Sequence, residues 1–211
     1  MPFEDNLDTD IQSNNRREAS DLQPTQNLGA SSHSKTGDFA FNWEPGQIVL
    51  DDYEIERKLG SGGYSVVYLA KHLHSNHLFS LKVPRISTGG DSRRQKLIFR
   101  ELRTWLDLPE HPHLTTCRFF KLLDNHFVIF SEFIDGGSLS DWIEKKKLLN
   151  LEDIVDVAIQ MGWGLQAAHS NGVIHQDIKP ANVLLTKQRV VKITDFGLSR
   201  THELVQQNME H

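Results

Sequence analysis

Polar and apolar positions divide the chain near residue 52. Before it, Ser, Asn, Asp, Gln and Thr dominate, and Phe3 and Phe39 are the only aromatics ahead of Phe41 and Trp43. Such a stretch buries too little apolar surface to offset its ordering entropy, so residues 1–45 are expected to form a disordered leader. From Tyr53 onward, short apolar runs alternate with turn signals. YEIERKLG (53–60) and YSVVYLAK (64–71) have strand composition and flank Ser61-Gly62-Gly63, which predicts a hairpin with a glycine-rich turn. HLFSLKV (77–83) predicts a third strand. Over 92–108, Leu97, Ile98, Leu102, Trp105, Leu106 and Leu108 recur among charges close to helical spacing. HPHL (111–114) marks a turn, and TTCRFFKLL and HFVIFSEFI predict two more strands about Asp124-Asn125. The first half is therefore expected to hold five antiparallel strands and one helix.

The second half is expected to be helical. Ser138 has N-cap character, with Asp141 in the first turn after it. Over 151–172, Leu151, Ile154, Val155, Ala158, Met161, Leu165 and Ala168 fall on one stripe, with Gly172 placed to end the helix. Gly162 and Gly164 each cost that helix about 1 kcal/mol relative to Ala, a cost that close packing would justify. Short strands are expected at 183–185 and 190–193, and Lys145–Lys147 as the solvated end of a helix.

Charge sharpens the division. The net charge is −5; the first 50 residues hold eight Asp/Glu and three Lys/Arg, and the other 161 hold twenty of each. Nothing in that balance suggests a nucleic-acid-binding surface. The single cysteine, Cys117, excludes an intramolecular disulfide and sits in an apolar stretch as a small core residue. The acidic N-terminus lacks the apolar core of a secretory signal, and no apolar run approaches the ~18 residues of a membrane span. A cytoplasmic location is expected; the sequence does not indicate an oligomeric state.

Several residues carry candidate chemistry. Gly60, Gly62 and Gly63 at a strand–turn–strand junction let backbone N–H groups approach phosphate oxygens. A strand rather than a helix follows them, which argues against a dinucleotide-binding fold. Lys82 is a charge in an apolar strand: an edge lysine facing solvent, or a phosphate ligand with an acidic partner such as Glu101. In HQDIKPANVLL (175–185) and ITDFGLSR (192–200), Asp177, Lys179, Asn182 and Asp195 offer carboxylates, an amide and an ammonium. Phosphoryl transfer needs those types to orient a nucleophile, hold magnesium and neutralise phosphate. His72, His74 and His77 flank a turn and read as solvent-facing residues, not as a zinc site.

Taken together, these residues resemble the eukaryotic-type protein kinase family over Tyr53 to about Thr201. GSGGYSVV is similar to its glycine-rich loop, with Ser65 in place of the third glycine and Val67 at the position that caps adenine. Lys82 matches the phosphate-binding lysine, with Ser80 where Ala is usual, and Glu101 lies where the family's αC helix supplies its partner. Ser131 falls at the gatekeeper, Glu132 to Ile134 at the hinge, His175, Asp177, Lys179 and Asn182 in the catalytic loop, and Asp195-Phe196-Gly197 at the magnesium motif. Lys179 is similar to the serine/threonine branch.

The resemblance implies an α+β, protein-kinase-like domain over 46–211. Its N-lobe (about 53–134) is five-stranded and antiparallel with helix αC, and its C-lobe (about 135–211) is mainly helical and incomplete, truncated after the magnesium motif. About a hundred residues of a usual domain would remain to follow, and the outward face of helix 151–172 would then be exposed. ATP and Mg2+ are the implied cofactors. Leu59, Gly60, Ser61, Gly62, Gly63, Val67, Ser80, Lys82, Glu101, Glu132, Ile134, Leu184 and Asp195 would hold nucleotide; Asn182 and Asp195 magnesium; and Asp177, Lys179 and Asn182 would carry catalysis. The implied partner is a protein bearing a Ser or Thr hydroxyl. Gln176 stands where many of these kinases have an Arg that pairs with a loop phosphate, so Gln176→Arg alone is expected to leave activity nearly unchanged; Ser199 and Thr201 remain candidate phosphosites. A nucleotide-binding regulatory module without catalysis, and a small-molecule phosphotransferase of related fold, stand as the alternatives.

Overall fold

Strand alternation after residue 47 resolves into one six-stranded antiparallel sheet in the order β1-β2-β3-β4-β6-β5. The strands are β1 (Ile48–Val49), β2 (Tyr53–Ser61), β3 (Ser65–His72), β4 (Leu78–Pro84), β5 (Cys117–Leu123) and β6 (His126–Glu132). The computed structural model describes residues 41–196, apart from Ile86, Thr88, Gly90 and Leu149 and the side chains of Arg94, Leu97, Arg100 and Glu101. The five expected strands are present, and the two-residue β1 adds an edge. The tight β5–β6 turn places both Asp124 (φ 46°) and Asn125 (φ 63°) in the left-handed region that a two-residue hairpin demands.

Register sorts the sheet into two faces. Tyr68, Leu81 and Phe130 lie side by side and are fully buried on one face. That face is closed by residues the composition assigned to the leader. Phe41 and Trp43 are 3% and 8% exposed. The Tyr68 hydroxyl donates to the Phe41 carbonyl at 2.7 Å and accepts from the Trp43 N–H at 3.3 Å, while the Trp43 ring lies 5.1 Å from that of Tyr68. The packed body therefore begins at Phe41 rather than residue 46: two aromatics supply enough apolar surface to order a segment whose average composition is polar. The remainder of the expected leader, residues 1–40, lies outside the described residues.

The other face carries Val67, Lys82 and Ile129 in one row. Helix α1 (Ser92–Leu106) packs here through Ile98, Leu102 and Trp105, in a cluster with Cys117, Phe127, Ile129 and Phe196. Asp91 caps the helix by accepting from the Arg93 N–H at 2.8 Å. Cys117 is the small core residue expected, and burial pushes its thiol up to about 12.

Beyond the sheet come α2 (Leu139–Glu144), α3 (Leu151–Ser170), a 3-10 turn at Pro180–Asn182, and the hairpin β7 (Val183–Leu185) and β8 (Val191–Ile193). Ser138 caps α2 in a reciprocal box with Asp141. The stripe expected to bury α3 holds in its second half, where Met161, Leu165 and Ala168 pack on the core, and is rotated in its first. Val157, Gln160, Gly164 and Ala168 face the core, whereas Leu151, Ile154, Val155, Ile159 and Trp163 are 46–73% exposed. The helix is apolar on both sides, so periodicity alone could not choose. Gly164 decides the choice: a Cβ there would stand 2.7 Å from the His113 carbonyl and 3.0 Å from the Ile193 side chain, while one at Gly162 would meet nothing within 4 Å. Gln160, also buried, accepts the Val191 N–H at 2.8 Å and so satisfies the β8 edge.

Candidate active site

The sequence placed a lysine in an apolar strand and carboxylates in two distant loops. The fold brings them to one cleft beneath the Lys82 face of the sheet. The Lys82 ammonium donates to Asp195 Oδ2 at 2.5 Å, with side chains 17% and 15% exposed. Asp195 reaches it from a left-handed backbone (φ 71°), a conformation seldom adopted outside glycine. Gly60, Val67 and Lys82 are neighbours across β2, β3 and β4, so the glycine-rich turn continues from the row that carries Lys82. The turn is closed by the Gly62 N–H donating to Ser65 O at 2.9 Å.

A second cluster forms after α3. Asp177 Oδ2 accepts from the Lys179 ammonium at 2.6 Å and from the Asn182 amide at 3.1 Å; the same amide donates to the Asp177 carbonyl at 2.9 Å. Partial burial would raise the Asp177 carboxyl, but the hydrogen bond and charge of Lys179, with help from Asn182, outweigh it and hold the group below the ordinary carboxylate range. Gln176, just before it, is left-handed (φ 66°).

His175 ties the clusters together. Its ring is buried, with Nε2 2.7 Å from the Thr194 carbonyl and Nδ1 accepting from the Asp177 N–H at 3.2 Å. Those two bonds fit the tautomer protonated on Nε2. The ring meets Phe196 edge-on at 4.6 Å, and the Thr194 N–H donates to the Asn182 carbonyl at 3.0 Å. One imidazole therefore sets the Asp177 loop against the strand that leads to Asp195.

The remaining expected positions distribute as follows. Leu59, Val67, Ser80 and Leu184 are half-buried, Gly60, Ser61, Gly62 and Gly63 exposed, and Ile134 buried. Glu132 follows Ser131 at the end of β6, and Ser131 pairs with Ser80 across β4. The Glu101 side chain, Gly197, Ser199 and Thr201 lie outside the described residues, so the expected Lys82–Glu101 pair does too.

Two side chains were missed. Lys192, opposite Leu184 in the β7–β8 hairpin, donates to Glu132 Oε1 at 2.8 Å and to the Leu114 carbonyl at 3.3 Å. The same carboxylate oxygen accepts from the Thr116 N–H at 2.8 Å. This half-buried pair joins the end of β6 to the strand before Asp195. Arg85 braces the glycine-rich turn, donating to Gly62 O at 3.0 Å and Ser61 Oγ at 3.2 Å. Lys192 gave the same signal as Lys82, a cation between apolar strand neighbours; for Arg85 the sequence gave none.

Comparison with known proteins bears on this geometry. A protein kinase domain model matches residues 53–210. The chain is 30% identical over 167 residues to CBL-interacting serine/threonine-protein kinase 7 of Arabidopsis thaliana, covering 79% of this chain and 39% of that protein. It is 32% identical over 152 residues to serine/threonine-protein kinase cds1 of Schizosaccharomyces pombe, covering 70% and 33%. It thus spans well under half the length of either relative. Among solved structures, Rad53 1–466 in complex with AMP-PNP matches with TM-score 0.61 and 27% identity over 70% of this chain and 39% of that one. The PknI kinase domain of Mycobacterium tuberculosis matches with TM-score 0.62 and 26% identity over 75% and 64%.

Proposed function

The chain belongs to the eukaryotic-type serine/threonine protein kinase family, and on that premise we propose that it binds MgATP in the Lys82–Asp195 cleft and directs the γ-phosphoryl group to a Ser or Thr hydroxyl of a protein. The observation that carries this is the convergence of Lys82 and Asp195 beside the Asp177–Lys179–Asn182 cluster, with His175 holding the two loops in register.

The donor set fits magnesium. The Asn182 amide nitrogen is turned to Asp177, which leaves its carbonyl oxygen on the opposite side, and Asp195 adds a carboxylate; both are hard oxygen ligands. Asn182 and Asp195 would hold magnesium there, and the ion would neutralise charge on the phosphate oxygens. Lys82 serves the α and β phosphates, with Glu101 as its partner. The row Gly60, Val67, Lys82 supports a nucleotide pose with its phosphates under the glycine-rich turn and its base toward Val67. Leu59 and Leu184 flank the base, and the backbone of Glu132 to Ile134 holds its edge.

Asp177 stays ionised because Lys179 and Asn182 stabilise its charge. An ionised carboxylate accepts the substrate O–H and aims its lone pair; it takes up the proton as the new P–O bond forms and the bond from the γ-phosphorus to the bridging oxygen breaks, releasing ADP. Lys179, with its side chain half exposed, offers its remaining donors to the phosphoryl group in transit. The cytoplasm, where MgATP is abundant, is the proposed location.

The test is a thermal melt with MgATP, followed by transfer from γ-labelled ATP. Saturation at 100 times Kd adds about 2.7 kcal/mol to a binder. The rise should vanish in Asp195→Ala. It should survive in Asp177→Asn while transfer to protein falls at least about a hundredfold. Labelling of a small alcohol and no protein would instead mark a small-molecule phosphotransferase. A rise with no transfer to either would mark a nucleotide-binding module.

A further inference from the structure

Beside the β7–β8 turn lies an open groove of about 580 Å³ that shares no lining residue with the nucleotide cleft. Trp142 lines it, buried and anchored by an indole N–H that donates to the Gly136 carbonyl at 2.8 Å. Lys146 and Lys147 enter from the turn after α2, Lys187 and Arg189 from the β7–β8 turn. The lone lining carboxylate, Asp135, is engaged: it accepts the Lys187 backbone N–H at 3.0 Å and lies 3.5 Å from the Lys187 ammonium. Arg189 pairs with Asp153. Lys146 and Lys147 make no ion pair among the described residues. Lys147 sits 5.1 Å from the Trp142 ring centroid, and Arg189 sits 5.8 Å from it.

The backbone adds a second observation. The Lys147 N–H donates to the Trp142 carbonyl at 2.8 Å and the Lys146 N–H to the Ile143 carbonyl at 3.1 Å. This is the helix-ending pattern whose left-handed position glycine usually fills. Here Lys146 fills it, at φ 51°. A lysine therefore occupies a strained position where glycine would be more stable, at the mouth of a cationic groove.

We propose that this groove binds an acidic peptide segment of a protein partner. Lys146 and Lys147, uncompensated among the described residues, with Lys187 and Arg189 beside them already partnered by Asp135 and Asp153, offer cations spread over two turns that match anionic side chains on one flexible strand better than one small anion. A nucleic acid would call for a wider basic surface, yet residues 51–211 carry equal numbers of acidic and basic side chains. The groove acts through its own charges and needs neither Asp195 nor nucleotide.

The experiment is fluorescence anisotropy of a fluorescein-labelled acidic dodecapeptide rich in Glu and Asp, titrated with the full chain. The peptide should bind, weaken as salt rises, and be indifferent to MgATP. Charge reversal in K146E/K147E should raise Kd at least about tenfold with the melting temperature held. Lys146→Gly gives a signature that a purely structural lysine would not: weaker peptide binding in a protein that melts at the same or a higher temperature. The proposal fails if a neutral peptide binds equally, if K146E/K147E binds as the parent does, if MgATP displaces the peptide, or if a single-stranded oligonucleotide binds more tightly.

Discussion

The sheet half and the helical half treat apolar surface in opposite ways. The sheet covers both faces: Phe41 and Trp43 close one, α1 much of the other. The helical half closes one side of α3 against β8 and leaves Leu151, Ile154, Val155, Ile159 and Trp163 open on the other. The chemistry follows this division. Lys82 and Asp195 sit against the closed core, and the exposed apolar stripe lies on the helix that precedes the Asp177 loop. Close packing fixes atoms to the tolerance that the proposed phosphate positioning would require.

The largest effect should come from removing what closes the sheet. Trp43→Ala should cost about 3–5 kcal/mol, as large aromatic deletions from cores do, measured by urea or thermal unfolding. A cost under about 1 kcal/mol, typical of a surface site, would mean that the segment before β1 rests on the sheet without belonging to it.

Within α3, two glycines two residues apart should respond with opposite sign. Gly164→Ala pushes a methyl to 2.7 Å from the His113 carbonyl, an overpacking worth about 1–3 kcal/mol of destabilisation. Gly162→Ala meets open space and should stabilise by about 0.5–1 kcal/mol. Equal responses would show that α3 does not bear on the His113 loop.

Lys192 joins the halves. Lys192→Met leaves the Glu132 carboxylate half-buried with only the Thr116 N–H, and should cost about 1–3 kcal/mol. Glu132→Gln should cost less, because its amide oxygen can accept from the same two donors. If the two variants are equal, the bond is not what couples the end of β6 to β8.

Legibility followed the same lines. The strands were readable as short β-branched and aromatic runs bounded by turn signals, although both faces of β6 are buried and alternation alone would not have marked it. In the candidate site, residue type and spacing pointed to residues that the fold pairs: Lys82 with Asp195, 113 residues away, and Asp177 with Asn182, five residues away. Lys192 was not readable, because a lone cation in an apolar strand means a solvent-facing edge as often as a buried partner. Trp43 was hidden by the polar average around it. Gly162 and Gly164 look alike in sequence and differ only in what stands opposite them. On α3, two apolar stripes left the choice of face to tertiary contacts.

A smaller effect concerns the α2 cap. Hydrogen bonds from the Ser138 side chain and backbone N–H hold the Asp141 carboxyl below its usual range. A carboxyl depressed in the folded state stabilises fully above its ordinary value of about 4, and that contribution is lost as pH falls through the folded value. Ser138→Ala should therefore cost about 1 kcal/mol near neutrality and shrink the stability lost on acidification below pH ~4. An unchanged acid limb would assign the cap to geometry alone.

The smallest effect on stability tests the open side of α3. Ile159→Lys with Val155→Gln replaces two side chains that are each 46% exposed. Neither lies on the face that packs against β8, so unfolding free energy should stay within about 0.5 kcal/mol of the parent. An exposed apolar stripe drives association between molecules, not folding within one. Sedimentation should therefore show less self-association at equal concentration. A drop in stability would place these residues in intramolecular contacts and erase the contrast between the halves. Unchanged association would locate the sticky surface elsewhere, with Ile174 and Ile178, which flank Asp177 and are 68% and 42% exposed, the next to substitute.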